Sequence, residues 1–336
     1  MYQKADRAKL LLSTTGAGEP DLPRNPEGVA LIGDPRNDEN VIVSQLQVVI
    51  IRLHNKFVDH VRAEGTVPSD MVFAAAQRLT RWHYQRVIVD DYLRRLCGEP
   101  AENETSLVDE LMHFDAKSKR FKYDLDFYLP RTRAYLPVEF SVAGFRFGHS
   151  QVRGVYDLNE NVTQRPIFAP SDQVGELDDL RGGRPLPAGW TIDWSRFLTI
   201  DGSVPQPSRK IDAKLVTALF DLPGSDSGDT SLAFRNLKRG QALELPSGQD
   251  IARHLGIEPV LTSAELGVEE PTPLWFYLLK ESELGGGTRL GPVGARIVAE
   301  VLIGLIKVDT QSWANQEPTW HPVAPRVARL CGMVCA

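Results

Sequence analysis

The stretch Gly144-Phe145-Arg146-Phe147-Gly148-His149-Ser150-Gln151-Val152 places a histidine next to a glycine and three residues after an arginine. Pro137 precedes it and predicts the first turn of a buried helix that holds His149. A neutral imidazole binds iron, a glycine lets a flat macrocycle approach the backbone, and an arginine pairs with a propionate. The stretch therefore suits an axial haem ligand. A structural core histidine is the alternative, because the chain has seven histidines.

The composition is that of an ordinary globular protein, with 42% hydrophobic and 24% charged residues. A net charge of −6, a pI near 5.7 and scattered basic residues predict no nucleic-acid partner. The most apolar later stretch, residues 298–308, contains Glu300 and Lys307 and is too short to span a bilayer, so no membrane span is expected. The charged start, residues 1–7, does not resemble a signal peptide.

Hydrophobic spacing predicts a mainly α fold with long irregular loops and little β structure. We expect one domain over residues 1–336, with residues 1–36 forming an extended loop that leads into the first core helix. Asn37 or Asp38 is the expected N-cap of that helix, and Gly65 and Pro68 are expected to end it. A second long helix is expected over 69–96, and shorter ones over 194–197, 211–220, 249–254, 273–283 and 292–307.

Further segments carry a pattern that no single motif shows. Residues 33–40, GDPRNDEN, place Arg36 before the first predicted helix and Glu39 three residues later. Alone, these are a loop arginine and a capping carboxylate. They are followed in order by WHYQ at 82–85, the His149 stretch, FRNLKRG at 234–240, LPSGQ at 245–249, TPLW at 272–275 and LGPV at 290–293. Together the segments resemble the animal-type haem peroxidase superfamily, above all its bacterial branch, along nearly the whole chain.

This resemblance implies a haem-peroxidase-like helical domain and a role for five residues. His149 corresponds to the proximal histidine that ligates haem iron, and Asn236 to the asparagine that accepts a hydrogen bond from its other ring nitrogen. Arg36 corresponds to the catalytic arginine opposite the proximal ligand, a fixed cation that stabilises the negative oxygen formed as the peroxide bond breaks. Arg146 corresponds to an arginine near a haem propionate. Glu39 corresponds to the carboxylate that forms an ester with haem in some members.

The chain also departs from the family pattern. Asn40 stands where some mammalian members have a methionine, so no sulfonium link to haem is expected. Arg146 stands where the fatty-acid oxygenases have a radical tyrosine, which favours a peroxidase. His54, on the first predicted helix, is expected to be structural. The resemblance places the distal histidine, which is the base for the peroxide proton, and its calcium-ligating aspartate upstream of Met1. Both that base and the family calcium site are therefore expected to be absent from this chain.

The resemblance predicts an oxidoreductase that binds haem b, reduces hydrogen peroxide and oxidises a small electron donor, in the response to oxidative stress. If the chain starts at Met1, we expect slow or absent turnover, because the base for the peroxide proton is missing. Two alternatives stay open. One is a non-enzymatic haem-binding or interaction protein, and the other is a fatty-acid dioxygenase of the same superfamily. The sequence specifies neither the donor, nor the oligomer, nor the compartment.

Overall fold

The computed structural model describes residues 2–98, 105–169, 179–223 and 229–322. Within these ranges the protein is mainly helical, and its sheets are two-stranded antiparallel ladders. The predicted mainly α fold with little β structure is confirmed. The chain divides into two compact units, Met1–Tyr84 with Gly154–Gln206, and Gln85–Arg153 with Pro207–Ala336. The extent of a single domain over 1–336 stays a prediction.

The regular elements are short apart from three long helices. The α-helices are α1 Val41–Glu64, α2 Val72–Val87, α3 Arg94–Cys97, α4 Leu107–Leu111, α5 Val138–Val142, α6 Leu232–Ala242, α7 Gly248–His254, α8 Ser263–Leu266, α9 Leu274–Leu284, α10 Pro292–Val308 and α11 Trp313–Gln316. A π-helix, Ile88–Leu93, joins α2 to α3. The ladders pair β1 Ser13–Thr14 with β2 Pro20–Asp21, β3 Met112–Asp115 with β4 Arg120–Tyr123, and β5 Val155–Tyr156 with β6 Arg165–Pro166. Turns of 3-10 helix lie at Pro35–Asp38, Ser69–Met71, Gly144–Gln151, Trp194–Arg196 and Thr217–Leu219.

Helix α1 begins later than predicted. Asn40 is its N-cap, and the Asn40 side chain accepts a hydrogen bond from the amide of Ile42 at 2.9 Å. The predicted caps, Asn37 and Asp38, lie instead in the 3-10 turn that precedes the helix. Gly65 ends the helix in the left-handed conformation with φ 64°, which confirms the predicted end.

Helix α1 forms the core of the first unit. Phe57, Val58 and Val61 pack with Val72 and Ala76 of α2 in one buried cluster. By length and composition, α1 is apolar enough to cross a membrane, but half of its apolar window is buried inside the protein. That burial is typical of a core helix, and no membrane span is established.

Arg24 ties the N-terminal segment to the entrance of α1. Its two terminal nitrogens donate to the two carboxylate oxygens of Asp38, each at 2.7 Å, and its Nε donates to Asp21 at 3.1 Å. The side chains of Arg24 and Asp38 are only 7% and 9% exposed. A buried cation is tolerated when its donors are satisfied in this way. The segment predicted as an extended loop is therefore held by a buried ionic network.

Helix α10 forms the core of the second unit. Its fully buried apolar side chains include those of Val293, Ile297, Val298, Val301 and Ile303. The Glu281 carboxylate of α9 caps its N-terminus and accepts hydrogen bonds from the amides of Val293 and Gly294 at 3.1 and 3.2 Å. Glycine is required at 291, because a Cβ there would lie 2.2 Å from Cγ of Glu281. Burial raises the pKa of the Glu281 carboxyl to about 7.

Two shorter predictions were wrong in detail. The helix predicted over 211–220 is only the 3-10 turn Thr217–Leu219, and a long-range bond from the amide of Ile211 to the carbonyl of Gly287 at 2.8 Å holds the start of the segment instead. The sequence also indicates loops with one short helix over 97–136, and the described residues of this region form α4 and, in addition, the hairpin β3–β4. Phe114 and Phe121 stabilise this hairpin as a cross-strand pair with ring centroids 5.5 Å apart.

We predict that Arg24→Met destabilises the protein by about 3 kcal/mol, since removing one partner of a buried ion pair leaves the carboxylates of Asp21 and Asp38 uncompensated. Arg62→Met is the matched control, because Arg62 makes a similar two-bond pair with Asp6 but its side chain is 44% exposed. Urea unfolding should show a large loss for the first variant and little change for the second. Equal losses would contradict the assignment of Arg24 as a buried structural cation.

Glu281 should make the stability of the protein depend on pH. Because its pKa rises from 4.5 to about 7 on folding, folding takes up a proton, and stability falls as pH rises through that window. Glu281→Gln keeps an acceptor oxygen for the α10 amides and removes the charge. The free energy of unfolding of the variant minus that of the parent should rise by about 3 kcal/mol between pH 4.5 and pH 7.5. A stability difference that does not change with pH would contradict this.

Candidate functional site

The backbone that carries His149 is not the single α-helix predicted from Pro137. Helix α5 ends at Val142, and a 3-10 helix over Gly144–Gln151, the His149 segment, follows it. Between them Ala143 has φ −127° and ψ −64°, outside the α region. A Cβ at Gly144 would lie 2.7 Å from Cγ2 of Ile297 in α10. The break therefore lets the backbone of the His149 segment approach the core helix of the second unit.

The His149 segment is anchored at its backbone. Trp275, at the start of α9, donates from Nε1 to the carbonyl oxygen of Arg146 at 3.0 Å. The Phe147 side chain is 1% exposed, and the Ser150 hydroxyl donates to the Phe147 carbonyl at 2.7 Å. These contacts hold the turn on which the imidazole stands.

The structure brings His149, Asn236 and Arg146 together in one hydrogen-bonded chain. Asn236, on α6, is 1% exposed, and its Nδ2 lies 2.9 Å from Nδ1 of His149. The Nη1 of Arg146 donates to Oδ1 of Asn236 at 3.1 Å, and its Nε donates to the carbonyl of Ser141 at 3.1 Å. The two polar atoms of the Asn236 amide are therefore shared between the imidazole and the guanidinium.

The orientation of that amide differs from the expectation that Asn236 accepts a hydrogen bond from His149. In this orientation the amide nitrogen donates, and Nδ1 of His149 accepts the bond only in the tautomer whose proton is on Nε2. The reason is the competition with Arg146, which has no acceptor of its own to offer and takes the amide oxygen. Rotating the amide by half a turn exchanges the two atoms and restores the expected bond.

The imidazole of His149 is neutral at physiological pH. Burial, with a further contribution from Arg146, lowers the pKa of His149 to about 4. Among the described residues, none forms a hydrogen bond with Nε2 of His149. A Cβ at Gly148 would meet no atom within 4 Å, so the space beside the segment is open. In the tautomer that carries its proton on Nδ1, this neutral imidazole leaves Nε2 without a partner among the described residues and is chemically suited to bind a metal.

Arg239 is a residue that sequence reasoning missed. Burial lowers the pKa of the Arg146 guanidinium, and the charge of Arg239 lowers it further. Within the described ranges, neither arginine forms an ion pair with a carboxylate. Two neighbouring cations without a counter-ion favour an anionic ligand. The sequence does contain a signal that could have identified Arg239. It stands three residues after Asn236 on one helix, so the two residues share a face.

The remaining candidates belong to the first unit. Arg36 is 78% exposed, and its Nη2 lies 2.6 Å from Oδ2 of Asp34. Glu39 has an exposed side chain, and its carbonyl accepts a hydrogen bond from Gly182 at 2.9 Å. The roles of Arg36 and Glu39 stay predictions. The Nε2 of His54 bonds the carbonyl of Ala8 at 3.0 Å, as a structural histidine does.

No three His, Cys, Asp or Glu side chains lie close enough to hold a metal ion in the part of the chain that the structure describes. A metal at His149 would therefore take its other ligands from a cofactor. A tetrapyrrole fits that requirement, because His149 would ligate its metal and the tetrapyrrole would supply the other ligands. Its carboxylates also match the unneutralised pair Arg146 and Arg239.

Known proteins share both the fold and the sequence pattern. Peroxinectin A of Dictyostelium discoideum is 24% identical over 238 residues, covering 70% of this chain and 39% of that protein. Thyroid peroxidase of Mus musculus is 24% identical over 336 residues, covering 94% of this chain and 35% of that protein. The chain thus spans well under half the length of these curated relatives.

Two solved structures superpose on nearly the whole chain. Peroxidase A from Dictyostelium discoideum matches 97% of this chain and 64% of its own, with a TM-score of 0.64 and 19% identity. A fatty acid alpha-dioxygenase from Arabidopsis thaliana matches 99% and 56%, with a TM-score of 0.63 and 14% identity. These likenesses confirm the expected haem-peroxidase-like helical fold. Residues 2–272 match the family model of the animal haem peroxidases, and the chain belongs to that family.

Proposed function

We propose that this chain binds haem b through Nε2 of His149 and acts as a peroxidase that reduces hydrogen peroxide and oxidises a small electron donor. The observation that carries the proposal is the pairing of His149 with buried Asn236 at 2.9 Å, with the opposite ring nitrogen left without a partner among the described residues. Metal-ligating histidines characteristically have their other nitrogen held in this way. Membership of the family supports an oxidoreductase.

Haem, when bound, supplies the electron transfer between peroxide and donor, while the protein sets axial ligation, local polarity and access. The first contribution of this chain is a ligand that needs no deprotonation at neutral pH, since the pKa of His149 is about 4. The second is orientation. The anchored His149 segment and Asn236 together restrict the plane of the ring.

Ligation through Nε2 requires the ring proton on Nδ1, so the Asn236 amide turns its oxygen toward His149. This rotation withdraws the acceptor from Arg146 and leaves its guanidinium bonded to the Ser141 carbonyl. Arg146, with Arg239 as a second cation, would then be free to pair with a haem propionate. In this proposal one amide couples the ligation of iron to the pairing of the propionate.

For Arg36 and Glu39, in the first unit, we propose the roles that the family resemblance implies. Asp34 raises the pKa of Arg36, so the guanidinium stays charged and can stabilise negative charge on a peroxide oxygen. The exposed carboxylate of Glu39 is the proposed partner for an ester link to haem.

We predict that His149→Ala loses haem ligation. Its haem affinity should fall by more than the roughly 10- to 100-fold typical of removing a residue that only orients a ligand. The Soret band should also move, and added imidazole should return it toward the parent position. Spectrophotometric haem titration measures both effects. His113→Ala, at an exposed position on β3, is the matched control and should bind haem as the parent does.

The same preparations separate the candidate functions. Peroxide-dependent oxidation of guaiacol by the haem-loaded parent supports the peroxidase. A Soret band without any turnover favours a non-enzymatic haem protein, and conversion of an unsaturated fatty acid to a hydroperoxide favours a dioxygenase. An unchanged spectrum in His149→Ala contradicts the proposed ligand itself.

A second prediction tests the amide. Asn236→Leu removes both hydrogen bonds at nearly constant volume and should weaken haem binding by about 10- to 100-fold. Asn236→Asp keeps an acceptor for Nδ1 and a partner for Arg146, and should retain most of the affinity. Equal affinities for the leucine variant and the parent would show that Asn236 does not orient His149.

A further inference from the structure

A cavity of about 630 Å³ lies in the second unit beside Asn236. Residues of α5, α6 and the start of α9 line it, and its surface is predominantly apolar. Its volume falls within the roughly 300–1,000 Å³ typical of small-molecule sites. Size and lining therefore match a ligand pocket.

The cavity does not include His149 and approaches it only through Asn236. Asn236 lines the cavity and also bonds Nδ1 of His149. The Nε2 atom lies across the imidazole ring from that bond and points away from Asn236. Neither His149 nor Arg146 lines the cavity.

The lining specifies the chemistry of the occupant. Phe234, 49% exposed, and Leu237, 37% exposed, stand at its edge, and the Trp275 indole forms part of its wall. Of the described lining residues only Lys238 is charged, and its Nζ is 3.0 Å from a carboxylate oxygen of Asp229. A pocket with aromatic walls and a neutralised cation favours an uncharged aromatic ligand.

The polar groups of the wall are mostly engaged. The Thr272 hydroxyl accepts a hydrogen bond from Gln249 at 2.8 Å, and the Ser247 hydroxyl donates to Asp250 at 2.7 Å. The exposed side-chain amide of Gln241 forms no hydrogen bond with the described residues. It is therefore the group available for a single hydroxyl on a ligand.

We propose that this cavity binds a small, uncharged aromatic alcohol, with its ring against Phe234 and Trp275 and its hydroxyl at Gln241. Because Asn236 forms part of the wall, the bound ring also lies next to the side chain that holds His149. Asn236 would thus lie between the bound ligand and the imidazole, on the side of the ring opposite Nε2. Neither statement depends on haem, so the proposal stands or falls separately from the proposed function.

The test is calorimetric titration of the haem-free 336-residue chain with 2-naphthol. We expect a dissociation constant between about 10 µM and 1 mM, and at least about tenfold weaker binding of 2-naphthoate, whose charge the cavity does not neutralise. Leu237→Trp fills the edge of the cavity and should weaken 2-naphthol at least about tenfold. Leu243→Trp, just past α6 and outside the lining, is the control and should bind as the parent does. Circular dichroism checks that both variants fold.

The position of the ligand is read from the ¹⁵N resonances of His149. Binding of 2-naphthol should shift them in the parent and in Leu243→Trp, but not in Leu237→Trp at the same ligand concentration. Absence of binding to the parent, equal affinity for 2-naphthoate, or equal binding by the two tryptophan variants would overturn the proposal. Binding that leaves the His149 resonances unmoved would overturn the placement beside Asn236.

Discussion

The candidate site depends on a single buried amide that has one acceptor and two neighbours that compete for it. Asn236 can offer its oxygen to Arg146 or to the ring N–H of His149, but not to both in the observed arrangement. Since Asn236 is 1% exposed, no solvent at the amide can accept a hydrogen bond from the donor that the amide oxygen does not face. The tautomer of the imidazole and the pairing of the guanidinium are therefore set together.

This competition is meaningful only because the surrounding backbone does not relax to relieve it. The His149 segment lies against α10 at Gly144, and Trp275 holds the carbonyl of Arg146 at 3.0 Å. Helix α10 is in turn deeply buried in the second unit, with Ile297 fully covered. Close packing of this kind transmits small displacements and resists large ones. The core of the second unit thus fixes the backbone that carries the imidazole through the close contact of Gly144 with Ile297.

The sequence predicted the features that depend on neighbouring residues, and it missed those that depend on contacts between residues far apart in the chain. Helices α1, α9 and α10 follow from hydrophobic spacing, and Gly65 from left-handed geometry, because each depends on neighbouring residues. The break at Ala143 depends on Ile297, far along the chain, so Pro137 alone suggested a continuous helix. The Arg24–Asp38 pair was missed for the same reason. Ordered motifs identified His149 and Asn236, but spacing could not show which amide atom faces the ring.

The cations beside the site show why its stability and its loading are linked. Arg146 loses solvation, lies near Arg239 and has no carboxylate partner among the described residues, so its charge carries a cost in the protein without a ligand. An anion that binds there removes the cost, and a ligand that binds only the folded state raises the free energy of unfolding according to its concentration over its dissociation constant. If Arg146 served only in packing, binding of an anion would not stabilise the folded state in this way. On the proposed function, Asn236 would release the guanidinium of Arg146 when His149 ligates iron. The same guanidinium would then pair with a haem propionate. Each event therefore lowers the free-energy cost of the other.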